Sequence, residues 1–250
     1  MRQRRKAPPR VPKRLPGSRV HAELAAGIGM RILDGTYPSG TLLPNEAEWG
    51  QMFHASRTAV REAIKTLNGK GLLVSRPKVG SRVEPRERWN LLDRDVMAWH
   101  CAAMDKTAFL ISLQEVRRIL EPGAAVLAAS RRTPDQLAEL EAALEGMRNA
   151  PDAEAMVAPD VRFHLSLLAC ANNELLSPFG IIIEQALANL FQYTSRHNAK
   201  PEQVIPMHEN VVKAIAAQRP EAARKAMVYL LDDTDQVVGK PPSDDPVRAA

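Results

Sequence analysis

Residues 56–80 read SRTAVREAIKTLNGKGLLVSRPKVG, and their order decides the first half of the fold. Ser56 is a good helix N-cap, because its hydroxyl can accept from a first-turn N–H that has no helical partner. The run from Arg57 to Gly69 reads as a helix. Val60, Ile64 and Leu67 form an apolar stripe that faces a core, while Arg57, Arg61 and Lys65 recur at i, i+4 and i+8 on another face. After Gly71, Leu72-Leu-Val-Ser75 reads as a strand, Arg76-Pro-Lys78-Val-Gly80-Ser81 as a basic hairpin tip, and Arg82-Val83 as the start of the return strand. Upstream, Asn45-Glu-Ala-Glu48 has the form of a capping box, with Asn in place of the usual Ser or Thr, and opens a short helix through Met52. Val20–Leu33 repeats Leu24, Ile28 and Ile32 every four residues and is a further helix, ended by Gly35. Gly35-Thr-Tyr37-Pro-Ser-Gly40 joins the two as a turn-rich connector.

Helix, helix, turn, helix, then a two-stranded basic wing is the order of a winged helix-turn-helix, whose second helix of the turn pair enters the major groove of double-stranded DNA. Arg57 and Arg61 suit that face, since a guanidinium fork bonds guanine O6 and N7 together, and Ser56 and Thr58 offer hydroxyls to phosphate. Three basic residues on one helix face describe many solvated helices. The wing and the charge around it point to DNA.

That charge is uneven. Residues 1–90 carry 18 Lys/Arg against 7 Asp/Glu, and the remaining 160 carry 16 against 22, within a net charge of +5. One end is drawn to a polyanion and the other is not. Residues 1–16, with Arg2, Arg4, Arg5, Lys6, Arg10, Lys13, Arg14 and four prolines, read as a basic disordered tail. The chain of 250 residues suits one large domain or two modest ones. With 45% hydrophobic, 25% charged and only 4% aromatic residues, and Ala, Leu, Glu and Arg dominating the second half, helix packed on helix is expected. Cys101 and Cys170 follow no motif spacing and read as reduced structural thiols. Met1–Arg14 has no apolar core of a signal peptide, and Phe179–Phe191 is too short to span a bilayer, so a soluble, cytoplasmic protein with no membrane partner is expected.

The expected architecture is therefore mainly α: tail 1–16, winged helix-turn-helix 17–86, an all-helical bundle 87–238, and a frayed end 239–250. In the bundle, helices are expected at 91–104, 107–131, 134–148, 153–171, 174–198, 201–218 and 221–237, separated by Asp, Pro and Asn. Asp160-Val-Arg-Phe-His164 sets a carboxylate and an imidazole one turn apart, a pair suited to a divalent metal or to a simple helical ion pair. His208, on a later helix, can close on them across the bundle. Arg117 and Glu121 are another i, i+4 pair, for which an intrahelical salt bridge is the plain reading. No Gly-rich phosphate loop, Cys-x-x-Cys pair or nucleophile elbow is present.

Gly40-Thr-Leu-Leu-Pro44-Asn-Glu46-Ala-Glu-Trp49, Ser56-Arg57-Thr58-Ala-Val60-Arg61-Glu62-Ala63-Ile64, Leu67 and Gly71-Leu-Leu73 together resemble the amino-terminal signature of GntR-family regulators over about residues 19–85. That resemblance implies DNA contacts from Ser56, Arg57, Thr58 and Arg61, and from Lys78 and Gly80 in the wing; Lys65 joins them from its place on the same helix face. Some relatives place a DNA-contacting Arg where this chain has Ala47, so that contact is absent here. Arg117-x-x-x-Glu121, Asp160-x-x-Phe-His164, Asn173 and His208 resemble the FCD effector domain of the FadR-type branch. Many such domains hold zinc or another divalent ion with one Asp and three His. Asp160, His164 and His208 match three of those positions and Leu230 stands at the fourth, which implies either a three-ligand centre completed by solvent or effector, or a metal-free pocket.

The stretch Arg86-Glu-Arg-Trp89-Asn-Leu-Leu-Asp-Arg-Asp-Val-Met-Ala-Trp99, with the missing fourth His, is similar to galactonate-type sugar-acid repressors of that branch. A hexonate effector would give its carboxylate to Arg117 and Arg162 and its hydroxyls to Asn173 or a metal. Arg162 lies on the opposite helix face from Asp160 and His164, where a surface ion pair is the simpler role. The reading is a homodimeric, metabolite-responsive regulator that a small carboxylate releases from a palindromic operator, with activator in place of repressor left open. A metalloenzyme using Asp160, His164 and His208 competes, since an open fourth position also describes catalytic zinc. It would have no use for a basic winged helix. An architectural DNA binder would have no use for the pocket.

Overall fold

A computed structural model of the chain describes residues 17–103, 106–194 and 201–238. The stretches read as tails, 1–16 and 239–250, lie outside them. The chain divides into two compact units at Asn90/Leu91, a few residues beyond the expected boundary at Arg86.

The first unit runs α1 (Gly17–Leu33), α2 (Glu46–Met52), α3 (Arg57–Gly69), β1 (Leu73–Arg76) and β2 (Gly80–Val83). Asn45 caps α2 as a full box: its side chain accepts from the N–H groups of Ala47 and Glu48, and Glu48 accepts from the N–H of Asn45 at 2.6 Å. Ser56 caps α3, its Oγ accepting from Ala59 N at 3.2 Å. The core collects Leu24, Ile28 and Ile32 of α1, Trp49, and Val60, Ala63 and Leu67 of α3. Ala63, not Ile64, completes the buried stripe of α3, and Ile64 is only half-buried at its edge. At about 100° per residue positions 63 and 64 flank the line through 60 and 67 by equal angles, so packing and not periodicity decides which of them is buried.

β1 and β2 pair antiparallel with Leu73 opposite Val83 and Arg76 opposite Gly80, so the tip is Pro77-Lys78-Val79, shorter than the sequence implied. Lys78 turns it with φ 64 in the left-handed region. The segment around Leu42 bridges to Arg82 and widens the wing. A 3-10 turn at Arg86–Arg88 then folds the chain back, and the buried Trp89 donates its indole N–H to Glu84 O at 3.0 Å, which carries the unit past Arg86.

The second unit, α4 (Arg94–Ala103), α5 (Lys106–Arg131), α6 (Pro134–Arg148), α7 (Ala153–Cys170), α8 (Gly180–Thr194), α9 (Pro201–Ala216) and α10 (Pro220–Val238), shows no strand among the described residues. α5 packs against α7, α8, α9 and α10, so every side chain on its inner faces meets another helix. Small residues Ala124, Ala125, Ala128 and Ala129 let those neighbours approach. Two expected helices are corrected. The one at 91–104 starts only at Arg94, because Asp93 accepts from Asp95 N and Val96 N and caps it there. The one at 174–198 is a 3-10 stretch, Glu174–Phe179, followed by α8, because Pro178 has no N–H to continue an α-helix from Glu174; residues 195–198 lie outside the described ones.

Gly71 joins α3 to the wing with φ +73, and a Cβ there would stand 2.3 Å from Arg88 O. Gly71→Ala is expected to destabilise the first unit by about 2 kcal/mol or more, from the left-handed backbone plus a backbone clash. Gly35→Ala has a similar φ, +83, in open space and is expected to cost about 1 kcal/mol. Denaturant melts of the two full-length variants measure the difference, and equal midpoints would contradict it.

Candidate functional site

The first candidate is the outer face of α3. Ser56, Arg57, Thr58, Arg61 and Lys65 are all exposed, as are Lys78 and Gly80 in the wing. Arg61, Lys65 and Gly80 share a groove of about 440 Å³ between α2, α3 and the wing, together with Glu46, Asn68 and Arg76. Asn68 Nδ2 donates to Ser75 Oγ at 3.0 Å, and Ser75 meets Ser81 at 2.7 Å, which ties the helix to the wing and fixes the groove. Arg76, Asn68 and Glu46 are the residues that sequence reasoning left out of the interface; the basic hairpin tip was the signal for Arg76.

Ser56 Oγ is engaged as a cap acceptor, yet its O–H can still donate to a phosphate. Arg61 Nε lies 2.9 and 2.8 Å from the two carboxylate oxygens of Glu46, with side chains 69% and 42% exposed. An exposed pair of this kind is worth about 0.2–1 kcal/mol, below the roughly 1–3 kcal/mol of a bidentate guanine contact, so DNA can take the guanidinium from Glu46.

The second candidate is buried. Arg117 and Glu121 of α5, His164 of α7 and His208 of α9 are each 2% exposed or less. Arg117 Nε donates to Glu121 Oε1 at 2.5 Å, and His164 Nδ1 lies 2.6 Å from Glu121 Oε2. Burial works against the charge of Glu121, but Arg117 and His164 outweigh it and bring its pKa down to about 2. Glu121 therefore only accepts, so His164 Nδ1 carries the proton and Nε2 presents its lone pair inward. Arg117 Nη2 stands 3.2 Å from that Nε2 and Asp160 Oδ1 3.5 Å from it. Burial disfavours an imidazolium at His164, yet the Glu121 and Asp160 carboxylates raise its pKa above the ordinary histidine value.

His208 Nδ1 donates to Val204 O at 2.9 Å, which leaves Nε2 as an acceptor, and Nε2 faces Asp160 Oδ1 at 3.1 Å. Two buried acceptors so close have no hydrogen bond between them, and neither atom has another hydrogen-bond partner among the described residues. Burial opposes the charge of Asp160 too, but the His164 and His208 rings beside it hold its pKa well below the usual carboxylate range. An anionic oxygen and two imidazole nitrogens, all within 4.8 Å of one another, ask for a cation between them. Tetrahedral zinc with bonds near 2.1 Å sets its ligands about 3.4 Å apart, which the 3.1 and 3.5 Å contacts of Asp160 bracket. The donor set fits a divalent metal. Glu121 then orients His164 from behind, as carboxylates do behind metal-bound imidazoles.

The other residues expected here fall elsewhere. Arg162 pairs at the surface with Glu139 of α6 and does not join the centre, because position 162 faces away from 160 and 164 on α7. Asn173 caps the 3-10 stretch, accepting from Leu175 N at 3.2 Å. Leu230 is buried in the apolar core beside Met227 and Leu231, and Tyr229 next to it is 61% exposed. Gln114, one turn before Arg117, was not foreseen: it is 3% exposed, and neither atom of its amide is bonded among the described residues. Each such group left without a partner costs about 1–3 kcal/mol.

Two family profiles match the chain: bacterial regulatory proteins of the gntR family at residues 21–83, and the FCD domain at residues 112–233. The HTH-type transcriptional regulator YieP of Escherichia coli (strain K12) is 34% identical over 217 residues, 85% of this chain and 93% of that protein. The galactonate operon transcriptional repressor of the same organism is 33% identical over 206 residues, 82% of this chain and 90% of that protein. The chain belongs to the GntR family, in its FadR-type branch with an FCD domain. Among solved structures, Streptococcus agalactiae GntR aligns with TM-score 0.50 and 26% identity over 86% of this chain and 99% of that one. The Listeria monocytogenes protein Lar aligns with TM-score 0.59 and 18% identity over 92% and 99%, a likeness of fold. The winged helix-turn-helix and helical second domain are those of the family, whose members are transcription regulators and not enzymes. No described helix is long and apolar enough to cross a membrane.

Because Arg117 and Glu121 are both buried, removing one strands the other. Glu121→Ala is expected to cost about 3–5 kcal/mol, whereas the double variant Arg117→Met/Glu121→Leu recovers most of it. Urea unfolding of the single and double variants measures this; a Glu121→Ala protein within about 1 kcal/mol of wild type would show that the pair is not the electrostatic keystone of α5.

Proposed function

We infer that this regulator is a dimeric, cytoplasmic repressor that reads a palindromic operator and is released by a small carboxylate, of which a sugar acid such as a hexonate is the leading class. The observation that carries the effector reading is the set of half-buried Asp160 and buried His164 and His208 beside the buried Arg117, polar groups left without full partners among the described residues. Its similarity to a galactonate operon repressor supports the sugar-acid class. A two-fold dimer would bring two copies of α3 to the two half-sites of such an operator.

Asp160, His164 and His208 would hold one divalent ion, zinc by the chemistry of one oxygen and two imidazoles, and the DNA-reading face does not need it. When bound there, the ion would supply positive charge to fix a carboxylate or hydroxyl of the effector. Arg117 offers the fork that matches a carboxylate, and its Nη1 is buried without a hydrogen-bond partner. The lone pair of His164 Nε2 serves one partner at a time, so with that nitrogen given to an ion the Arg117 Nη2 donor, now 3.2 Å from it, would be left for the effector.

On DNA, Arg57→Ala and Arg61→Ala are each expected to lose about 1–3 kcal/mol of discrimination at particular base pairs, while Lys78→Ala weakens all sequences alike. Competition binding with mutated operators decides, and Arg variants with unchanged base preferences would refute the reading helix.

For the centre, protein purified with zinc is expected to carry about one ion per chain, and His164→Ala or His208→Ala to carry almost none while still binding operator. Arg117→Lys keeps the ion but should lose at least about tenfold in hexonate response, since an ammonium lacks the fork. Elemental analysis with operator-release assays separates these outcomes. Metal retained in both His variants would place it elsewhere in the protein.

A further inference from the structure

The groups left without partners in the second unit are not scattered. On α5, positions 114, 117 and 121 fall on one stripe within about 60°. Gln114 is 3% exposed with Nε2 and Oε1 both unbonded, and Arg117 Nη1 is unbonded one turn on. Glu121 then leads through His164 to Asp160 Oδ1 and His208 Nε2. Glutamine is seldom fully buried, and a native core rarely leaves such an amide unsatisfied unless a ligand or ion meets it. A carboxamide offers two donors and an acceptor, and a hydroxyl both donates and accepts, so an alcohol satisfies both ends of Gln114. A second carboxylate would satisfy only the –NH2, and a hydrocarbon neither.

We propose that Gln114 is a specificity residue of the effector site, hydrogen-bonding an effector hydroxyl remote from the carboxylate that Arg117 and the Asp160–His164–His208 centre hold. This rests on the effector reading given above and narrows it to polyhydroxylated carboxylates. Gln114 and Arg117 stand about 4.5 Å apart along the axis of α5, one turn, so a ligand held at Arg117 that extends along the helix passes the amide. A six-carbon aldonate carries a hydroxyl on every carbon it would bring there, and glycerate has one beyond its second carbon.

Calorimetric titration of full-length, zinc-loaded protein with galactonate, gluconate and glycerate tests this on wild type and Gln114→Met. Wild type is expected to bind at least one hexonate about tenfold or more tighter than glycerate, a gap of roughly 1.4 kcal/mol. In Gln114→Met that gap closes through loss of hexonate affinity, while glycerate binding and metal content stay unchanged. The ligand-free Tm of the variant holds or rises, because an apolar side chain of similar length replaces an unsatisfied amide. Hexonate affinity unchanged in Gln114→Met overturns the assignment and leaves the sugar-acid reading standing. A wild type that binds glycerate but no hexonate overturns both. A ligand-free Tm that falls makes the amide structural and overturns the assignment, and so does a wild type that does not distinguish hexonate from glycerate, whatever the variant does.

Discussion

A guanidinium inside a helical bundle has lost its water and must be neutralised, and Arg117 is neutralised by Glu121 one turn along the same helix. Glu121 cannot be satisfied by one partner, because a buried carboxylate has lone pairs on both oxygens. Its second oxygen takes the N–H of His164 from α7, which fixes the tautomer of that ring and aims its other nitrogen at Asp160. One chain of charge-assisted contacts therefore links α5 to α7, and through Asp160 and His208 to α9. Everything proposed for the second domain depends on it.

The helices that supply this chain each carry a proline beside or close to a contributing residue: Pro122 after Glu121, Pro159 before Asp160 and Pro206 before His208. Each removes one backbone N–H from the helical ladder near the centre. Pro159 is also the residue that Gly146 of α6 meets, where a Cβ would sit 3.3 Å from the ring, so α6 closes against α7 at the level of Asp160. The polar centre is thus walled by apolar packing, and its electrostatics act at low dielectric.

The two domains use charge in opposite ways. On the reading helix the arginines are exposed, weakly held and free to exchange partners, as the Arg61–Glu46 pair shows. At the centre of the second domain the charged groups are buried, few and held by one another. Exposed charge suits a long polyanion that arrives with its own counterions. Buried charge suits a small ligand that must be told apart from its chemical neighbours.

Helix periodicity, capping residues and the basic wing made the fold readable from the chain, because these are local: Asn45 and Ser56 act within a turn of themselves. The i, i+4 pairs Arg117–Glu121 and Asp160–His164 were readable for the same reason. Local spacing left each of them as an ordinary ion pair. Only tertiary packing joined the two pairs through the 2.6 Å contact of Glu121 with His164, 43 positions apart in the chain, and added His208 from a third helix. Packing also buried Gln114, whose residue type gave no sign of it. Sequence by itself determined which helices form and which residues share a face. Which faces meet is a property of the whole packed core, and the partners of a buried polar group are decided there.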